Sequence, residues 1–446
     1  MHQVISTRYG IILLGVCLYV TLMPGSAQAQ TGQLLDAIGP INQSMGGAGT
    51  AMPLDAMGAL YWNPASISGL NSSEIGFAFQ VFSPQTRLSS SVQANAFGPG
   101  VPAVDISGRT VSDSGISPIP SFAFVCKNPD SRWIYGISGF GIGGFGVDYA
   151  GLANNPITTP QPPNGFGFGP VYSSFQMMQI TPTAALQITE RLSIGFGINA
   201  NWATLAVSPF SAASPDDANG DGFPTYPDGS RAGTSWGLGF QTGLYYENKE
   251  NGFHWGLSLR SPEWMQTYKI NSQDELGAGR SLRFDLDNPL VASMGIGYSG
   301  WERWKFAGDI RYIDYEGTNG FQEAGFDATG AVTGFGWKSI FIVAVGAEYH
   351  VTPHLAVRSG YTYNENPIRD EDSFYNIAAP GIIQHHLSSG FTYDTAHGWR
   401  LSVALMHGFK NSISGAWQSP AGAIPGTTVS SELSTYSVTA GLSKKF

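Results

Sequence analysis

The alternation that decides the fold is clearest at the carboxyl end, in Tyr436-Ser437-Val438-Thr439-Ala440-Gly441-Leu442-Ser443-Lys444-Lys445-Phe446. In steps of two, these residues form a largely apolar face from Tyr436 to Phe446 and an opposite face of small or polar residues. A period of two is that of an extended strand. Aromatic residues at both ends of the apolar face, with Lys444 able to reach headgroups, are typical of a strand that crosses a membrane. An edge strand of a soluble sheet is the alternative for this segment alone.

The same alternation recurs along most of the chain after Glu74. Its apolar faces carry Trp, Tyr or Phe near their ends, and the opposite faces are rich in Gly and polar residues. Four such faces are Ile194-Phe196-Ile198-Ala200-Trp202, Trp236-Leu238-Phe240-Thr242-Leu244, Phe253-Trp255-Leu257-Leu259 and Trp304-Phe306-Ile310-Tyr312. Repeated apolar bands bounded by aromatic residues indicate the lipid-facing surface of a membrane β-barrel.

Composition supports this interpretation and limits the function. Only 12% of the 446 residues are charged, and 58 are glycine, whereas about a quarter of the residues of ordinary soluble domains are charged. The net charge of −10 and the lack of basic stripes argue against nucleic acid as a partner. Because a general porin has a polar, water-filled lumen, so low a charge favours a route for apolar molecules.

The first 29 residues predict a secretory signal peptide. Arg8 precedes an apolar run over 11–23, and Ala27-Gln28-Ala29 is a small-x-small cleavage site. The run is too short to span a bilayer. After cleavage Cys126 is the one remaining cysteine, so no intrachain disulfide is expected.

Connections between the alternating segments differ in length in a regular way. Six short turns are predicted at 128–131, 189–190, 248–251, 299–301, 352–353 and 396–398, and seven long loops near 98–118, 148–171, 209–230, 270–280, 318–335, 364–383 and 413–429. This predicts an all-β fold, a 14-stranded antiparallel transmembrane β-barrel over 74–446, with turns in the periplasm and loops outside the cell. The count requires one strand over 74–96 despite Pro84; a separate hairpin is the alternative.

Residues 30–73 lack this alternation and are rich in Gly, Ala and Met. They precede the first strand, carry little charge and include stretches that can form short helical turns. We interpret them as a hatch, a segment that plugs the inside of the barrel, with a flexible leader as the alternative.

Several motifs resemble those of the FadL-type outer-membrane transporters of long-chain fatty acids and aromatic hydrocarbons. They are Gly46-Gly47-Ala48-Gly49-Thr50-Ala51, Asp55-Ala56, Trp62-Asn63-Pro64-Ala65, Leu259-Arg260-Ser261-Pro262, Phe284 to Gly297 and Val357 to Ile368. The resemblance covers nearly the whole mature chain. It implies a hatch or gate that includes Gly46, Gly47, Gly49, Asp55, Asn63, Pro64 and Ala65. Where the family usually has Asn-Pro-Ala-Gly-Leu, this chain has Asn63-Pro64-Ala65-Ser66-Ile67.

The resemblance also implies capture of a hydrophobic ligand at the extracellular loops and its sideways release into the membrane at a kink in the third strand. Here that strand is predicted over Arg132–Tyr149, and its glycines weaken and bend it because they add backbone freedom without packing. They are Gly139, Gly141, Gly143, Gly144 and Gly146.

One loop carries a motif for calcium. Oxygen ligands occupy positions one, three, five and twelve of a calcium-type loop, and Gly222 lies at position six. They are Asp217, Asn219, Asp221 and Asp228. Pro224 and Pro227 exclude the exit helix of a regular EF-hand, and an acidic solvated turn is the alternative.

Two further functions find little support. The run Gly139 to Gly144 satisfies a dinucleotide-binding pattern, but no amphipathic helix follows it. We also find no nucleophile elbow or comparable catalytic signature, so we expect no enzyme.

The expected function is therefore passive uptake of hydrophobic small molecules, most of all long-chain fatty acids, by a monomer in the bacterial outer membrane, in contact with its lipid. No cofactor is required; calcium in an extracellular loop is the exception. Uptake of aromatic hydrocarbons, and a non-transporting adhesin or phage receptor, are the alternatives.

Overall fold

The computed structural model describes residues 31–446, so the predicted signal peptide lies outside the described residues. Fourteen long strands form the wall, and we label them β1 to β14 in chain order. They are Glu74–Val92, Ser117–Lys127, Trp133–Tyr149, Val171–Gln187, Leu192–Ser208, Gly229–Asn248, Phe253–Arg260, Leu290–Trp301, Trp304–Asp314, Ile340–Thr352, Leu355–Asn364, His385–Asp394, Trp399–Gly415 and Thr427–Lys445.

Each strand pairs antiparallel with its neighbours in sequence, and β1 pairs with both β2 and β14, which closes the sheet. The predicted all-β, 14-stranded barrel is therefore confirmed. Closure gives both edges of the sheet a partner strand, which satisfies most backbone groups of the wall, as a lipid environment requires. Within residues 31–446 no helix is long and apolar enough to cross a membrane.

Burial along β14 shows which face meets lipid. The apolar residues Tyr436 and Val438 are 54% and 47% exposed, whereas the polar Ser437 and Thr439 are 3% and 2% exposed. A soluble sheet buries its apolar face, so this inverted pattern is that of a barrel whose outer wall lies in a membrane and whose interior is filled.

The interior is filled by the hatch. It contains helix α1 (Gly39–Ser44), helix α2 (Ala56–Trp62) and a 3-10 helix (Pro64–Gly69), and almost all of its residues over 31–70 are buried. Pro40 lies in the first turn of α1, and the Asp55 carboxylate caps α2 by accepting a hydrogen bond from the Gly58 N–H (3.1 Å). Both helices are too short to be stable alone, so the wall must hold them in place.

Pro84 does not break β1. The strand runs from Glu74 to Val92 and pairs with β14 along its whole length, while its pairing with β2 ends at Phe82. Pro84 thus lies beyond the end of the pairing between β1 and β2. No carbonyl of β2 requires a hydrogen bond from an N–H at this position, so proline is tolerated.

Two long loops differ from their predicted form. The fourth spans 261–289 because the chain leaves the wall at Ser261-Pro262 and then forms its own hairpin, Tyr268–Gln273 with Gly279–Phe284. In the first, the segment Ile106–Val111 returns to pair with the end of β1. Each of these strands has only six residues, which is too short for the period-two pattern to distinguish it clearly from a loop.

Candidate functional site

The glycine-rich strand β3 changes character halfway along. Its residues alternate between exposed and buried up to Ser138, but every residue from Phe140 to Val147 is buried. Its register against β4 shifts between Gly141 and Gly143, which is a β-bulge. Among the predicted kink residues, Gly141 and Gly143 lie at this bulge, Gly139 lies just before it, and Gly144 and Gly146 continue the pairing with β4.

Beyond the bulge the wall is interrupted on one side of β3. Pairing between β2 and β3 ends at Phe140, and pairing between β1 and β2 ends at Phe82. Residues 83–85 of β1 and 141–147 of β3 therefore border a wall gap that no strand within residues 31–446 fills. Toward the long loops the gap is bounded by the segment Ile106–Val111 and by a hydrogen bond from the Asp113 N–H to the Asp148 carbonyl (2.8 Å).

The first hatch residues lie against this part of β3. The Gly144 N–H donates to the Gln33 carbonyl (2.8 Å), and the Leu35 N–H donates to the Ile142 carbonyl (2.9 Å). A Cβ atom on Gly143 would collide with the Gln33 carbonyl. Glycine at this position therefore permits a short backbone ladder between the hatch and the wall strand.

Asn63 connects three parts of the hatch and barrel. Its Oδ1 accepts from the Ala65 N–H (3.0 Å), and its Nδ2 donates to the carbonyls of Thr50 and Leu244 (both 2.9 Å). Asn63 thereby fixes the turn that contains Pro64, ties it to the preceding glycine-rich loop, and attaches both to β6. Asn63 was predicted from the sequence as a hatch residue, but its bond to the wall was not predicted.

The glycine-rich loop of the hatch is held by a buried ion pair of β9. The Asp309 carboxylate accepts from the backbone N–H groups of Gly49 (2.8 Å) and Thr50 (3.0 Å) and from Arg311 Nη2 (2.6 Å). The Arg311 guanidinium lies 3.4 Å from the centre of the Trp62 ring. Gly46 and Gly47 adopt positive φ, 65° and 76°, in this loop, which favours glycine.

Sequence reasoning missed this ion pair and the wall glycines that make room for the hatch. Asp309 and Arg311 alternate with apolar residues on one strand, and charges on the inward face were the signal that could have identified them. The wall glycines would collide with hatch atoms if they carried a Cβ. They are Gly195, Gly243, Gly256, Gly346 and Gly360.

A small cavity lies between the hatch and strands β7 to β10 of the wall. It has a volume of about 10 Å³, and Leu35, Asp36, Arg260 and Arg311 are among its lining residues. Within residues 31–446, three buried donors beside it have no acceptor, and neither oxygen of the Asp36 carboxylate has a donor. The three donors are Arg260 Nε, Arg260 Nη1 and Arg311 Nε. The volume suits one water molecule.

Aromatic residues from four long loops meet above the hatch. Phe97 lies 5.2 Å from Phe166 and 5.6 Å from Trp417, and Phe374 lies 5.5 Å from Phe168, measured between ring centres. These rings pack on the buried end of β3, including Val147 and Tyr149. The cluster joins the loops to the strand that borders the wall gap.

Two larger concave surfaces are not part of the interior. Their volumes are about 940 and 590 Å³, and they are lined by outward-facing side chains such as Phe196, Leu257 and Ile296. They are grooves between side chains of the outer wall, where acyl chains would pack, and we do not assign the ligand to them.

The predicted calcium ligands do not converge. Asp217, Asn219 and Asp221 accept hydrogen bonds from nearby backbone N–H groups, whereas Asp228 accepts from Ser230 N and Oγ (both 2.9 Å). Burial opposes ionisation of Asp228, yet hydrogen bonds from Ser208 and Ser230 hold its pKa below the usual value. Within residues 31–446 no three His, Cys, Asp or Glu residues are grouped to hold a metal. Calcium binding stays a prediction that calorimetric titration can test.

A closed membrane barrel, filled by a hatch that contacts a glycine-rich wall strand beside a wall gap, defines a plugged outer-membrane transport barrel. The chain belongs to the family described as outer membrane protein transport protein (OMPP1/FadL/TodX), whose model matches residues 21–446. The predicted family and the outer-membrane location are thereby confirmed.

Individual relatives agree with this assignment. The long-chain fatty acid transport protein of Salmonella typhi is 26% identical over 350 residues, 69% of this chain and 75% of that protein. The corresponding protein of Escherichia coli O6:H1 is 23% identical over 352 residues, 69% of this chain and 74% of that one. In fold, the chain is similar to the Pseudomonas putida toluene transporter TodX (TM-score 0.65, 16% identity, 92% of this chain and 99% of TodX). A FadL homologue of Pseudomonas aeruginosa is likewise similar (TM-score 0.66, 14% identity, 92% of this chain and 98% of the homologue).

Proposed function

We propose that this protein takes up hydrophobic small molecules by diffusion, with long-chain fatty acids as the substrate class. The ligand is captured by the extracellular loops, passes the hatch when its first residues part from β3, and leaves sideways into the membrane through the wall gap. The protein acts as a monomer in contact with outer-membrane lipid.

The main support for sideways release is the wall gap beside β3, with hatch residues 33–35 behind it. Lateral release suits an apolar ligand for an energetic reason. Each methylene moved from hydrocarbon to water costs about 0.8 kcal/mol, so a chain of about sixteen carbons would lose roughly 12 kcal/mol by entering the periplasm directly. An exit into lipid avoids that cost.

The loop aromatics support capture at the extracellular end. Phe97, Phe166, Phe374 and Trp417 come from four different loops and make an apolar surface that continues to β3. An acyl chain that enters this cluster would replace contacts between aromatic rings with its own apolar contacts to the same rings. Entry of the ligand therefore requires the loops to move, but few polar groups have to lose water.

The two arginines below the loops support an anionic head on the ligand. Arg260 and Arg311 are buried, contact the hatch through the Tyr61 and Gly47 carbonyls, and hold three donors without acceptors. A fatty-acid carboxylate would satisfy such donors with charge-assisted hydrogen bonds. The curated relatives at 26% and 23% identity are named for long-chain fatty acids, which supports the same choice.

Uptake of aromatic hydrocarbons is the second candidate. The similar solved structures include toluene transporters of Pseudomonas putida and Ralstonia pickettii, and the loop cluster is rich in aromatic rings. A neutral hydrocarbon would leave the donors of Arg260 and Arg311 unsatisfied, which is why we place fatty acids first.

Displacement of a fluorescent long-chain fatty acid from the purified protein, with oleate and toluene as competitors, tests the proposal. Displacement by oleate at much lower concentration than by toluene is the expected result. The reverse order would assign the site to hydrocarbons. A probe that does not bind at all would contradict transport and favour a barrel that acts as an adhesin or phage receptor.

A further inference from the structure

We propose that the outer wall of the barrel carries a binding site for the phosphate of an outer-leaflet glycolipid of the lipid A class. Three basic residues form the site: Arg87 of β1, Arg109 of the segment 106–111 and Lys410 of β13. They surround one carboxylate, that of Glu432 on β14, and we call these four residues the basic cluster. The inference does not depend on what the barrel transports.

The cluster is compact and unbalanced in charge. Glu432 lies 3.0 Å from Arg109 Nη2, 3.8 Å from Arg87 Nη1 and 3.7 Å from Lys410 Nζ. Three positive charges therefore share one negative charge, which leaves a net charge of two. In a chain with only 22 Lys and Arg residues, three from distant parts of the sequence meet at this one carboxylate.

Local backbone features direct these side chains to the outside. The register of β13 against β14 shifts between Gly408 and Asn411, and this bulge makes both Phe409 and Lys410 face outward. Regular alternation would point Lys410 into the barrel. Arg109 comes from the first long loop, where Arg109 pairs with Ser89 of β1. A bulge and a returning loop segment are thus both needed to assemble the cluster.

The height of the cluster matches the headgroup layer. Below it, His407 stacks on Tyr436 at 4.4 Å and packs against Phe409 at 4.8 Å, between ring centres, on the outer wall. Such outward-facing aromatic groups mark the membrane interface. Glu432 lies four residues beyond Tyr436, roughly 10 Å further along the membrane normal for a strand tilted by about 40°. Long basic side chains reach back from there to headgroups.

A phosphate monoester on a lipid is the occupant that this arrangement fits. Arginine guanidinium groups bind phosphate through paired N–H donors, and lysine adds a mobile ammonium. The apolar wall directly below, with Val81 and Phe79 on β1, gives the acyl chains a surface to lie on. The outer leaflet presents phosphorylated glycolipid at this height. The site also lies beside the wall gap, so a bound lipid would border the proposed exit.

Binding of diphosphoryl lipid A to the purified protein, measured by native mass spectrometry in detergent, tests the inference. The triple variant R87Q/R109Q/K410Q should bind at least about tenfold more weakly. The matched control R191Q/K249Q/R303Q removes three positive charges from the short-turn end and should bind like the wild type. Glu432→Gln removes the competing carboxylate and should bind more tightly.

Two comparisons separate the lipid from a free ion. Lipid A without its phosphates should bind the wild type as weakly as diphosphoryl lipid A binds the triple variant, and inorganic phosphate at millimolar concentration should compete only slightly. Equal lipid binding by the wild type and the triple variant, or an equal loss in the control, would overturn the inference. Full competition by inorganic phosphate alone would reduce the site to one for a small anion. If the triple variant fails to fold, E432Q still tests the inference, because tighter binding of lipid A is expected for it.

Discussion

The Gln33 carbonyl accepts a hydrogen bond from the Gly144 N–H at 2.8 Å, and this contact ties the start of the hatch to the strand that borders the wall gap. Within residues 31–446 the ladder has two such bonds, and the second joins the Leu35 N–H to the Ile142 carbonyl. Two bonds, each worth about 1 kcal/mol net, can break without unfolding the barrel. The contact between the hatch and β3 is therefore weak, although Gln33 is also held by hydrogen bonds to Tyr315 and Asn288.

Gly143→Val should loosen this segment from β3. A Cβ at position 143 would collide with the Gln33 carbonyl, whereas a Cβ at Gly139 meets no atom within 4 Å. Hydrogen–deuterium exchange of the peptide that covers 31–38 should be faster in the Gly143 variant and unchanged in Gly139→Val. The same exchange rate in both variants would show that the Gly143 position does not hold the hatch.

Asp309→Asn should loosen the hatch further inside the barrel. The substitution leaves Arg311 buried without its carboxylate partner, and breaking a buried pair in this way costs at least about 3 kcal/mol. Glu316→Gln is the control, because Glu316 faces Arg369 at 3.6 Å with both side chains about half exposed, and such pairs contribute less than about 1 kcal/mol. Urea unfolding in detergent measures both. A loss below 1 kcal/mol for Asp309→Asn would contradict an anchoring role.

Gly243→Ala tests the fit between the wall and Asn63. A methyl group there would collide with Asn63 Oδ1, while at Gly308 the nearest atom is 3.9 Å away. Overpacking costs about 1–3 kcal/mol, so Gly243→Ala should lower the thermal midpoint of unfolding. The variant should also raise ion conductance in planar bilayers, because a displaced hatch would no longer fill the barrel. Gly308→Ala should change neither. Unaltered conductance in the Gly243 variant would mean that the hatch tolerates displacement at this point.

Arg260→Gln should remove selectivity for a carboxylate. If Arg260 pairs with the head of the ligand, the wild type should bind oleate more tightly than oleyl alcohol, by about tenfold for one charge-assisted bond. The variant should bind the two ligands nearly equally. Retained preference for oleate in the variant would move the carboxylate to another group.

The repeated alternation allowed much of the barrel to be predicted, since a strand between lipid and lumen must alternate whatever its neighbours are. The loss of that pattern over 30–73 distinguished this segment from the strands, and its role as a gate stays a prediction. The contacts that fill the interior could not be predicted. The contacts of Asn63 with β6 and of Asp309 with Gly49 join residues far apart in sequence. A glycine on the inward face gives the same sequence pattern whether it faces water or the hatch. The glycine content of β3 predicted a strand that can bend, but it did not predict the bulge at Gly141–Gly143, because glycine permits a bend without requiring one.

In the proposed mechanism the hatch parts from β3 when ligand passes, and a reversible cross-link between the two can test this step. Leu35 and Ile142 lie opposite each other in the short ladder, with backbones close enough for a disulfide. The variant L35C/I142C, made with Cys126→Ser, should take up labelled oleate when reduced and lose uptake when oxidised. The control A347C/S359C, which joins neighbouring strands on another part of the wall, should transport in both states. Uptake by oxidised L35C/I142C at the reduced rate would contradict the account.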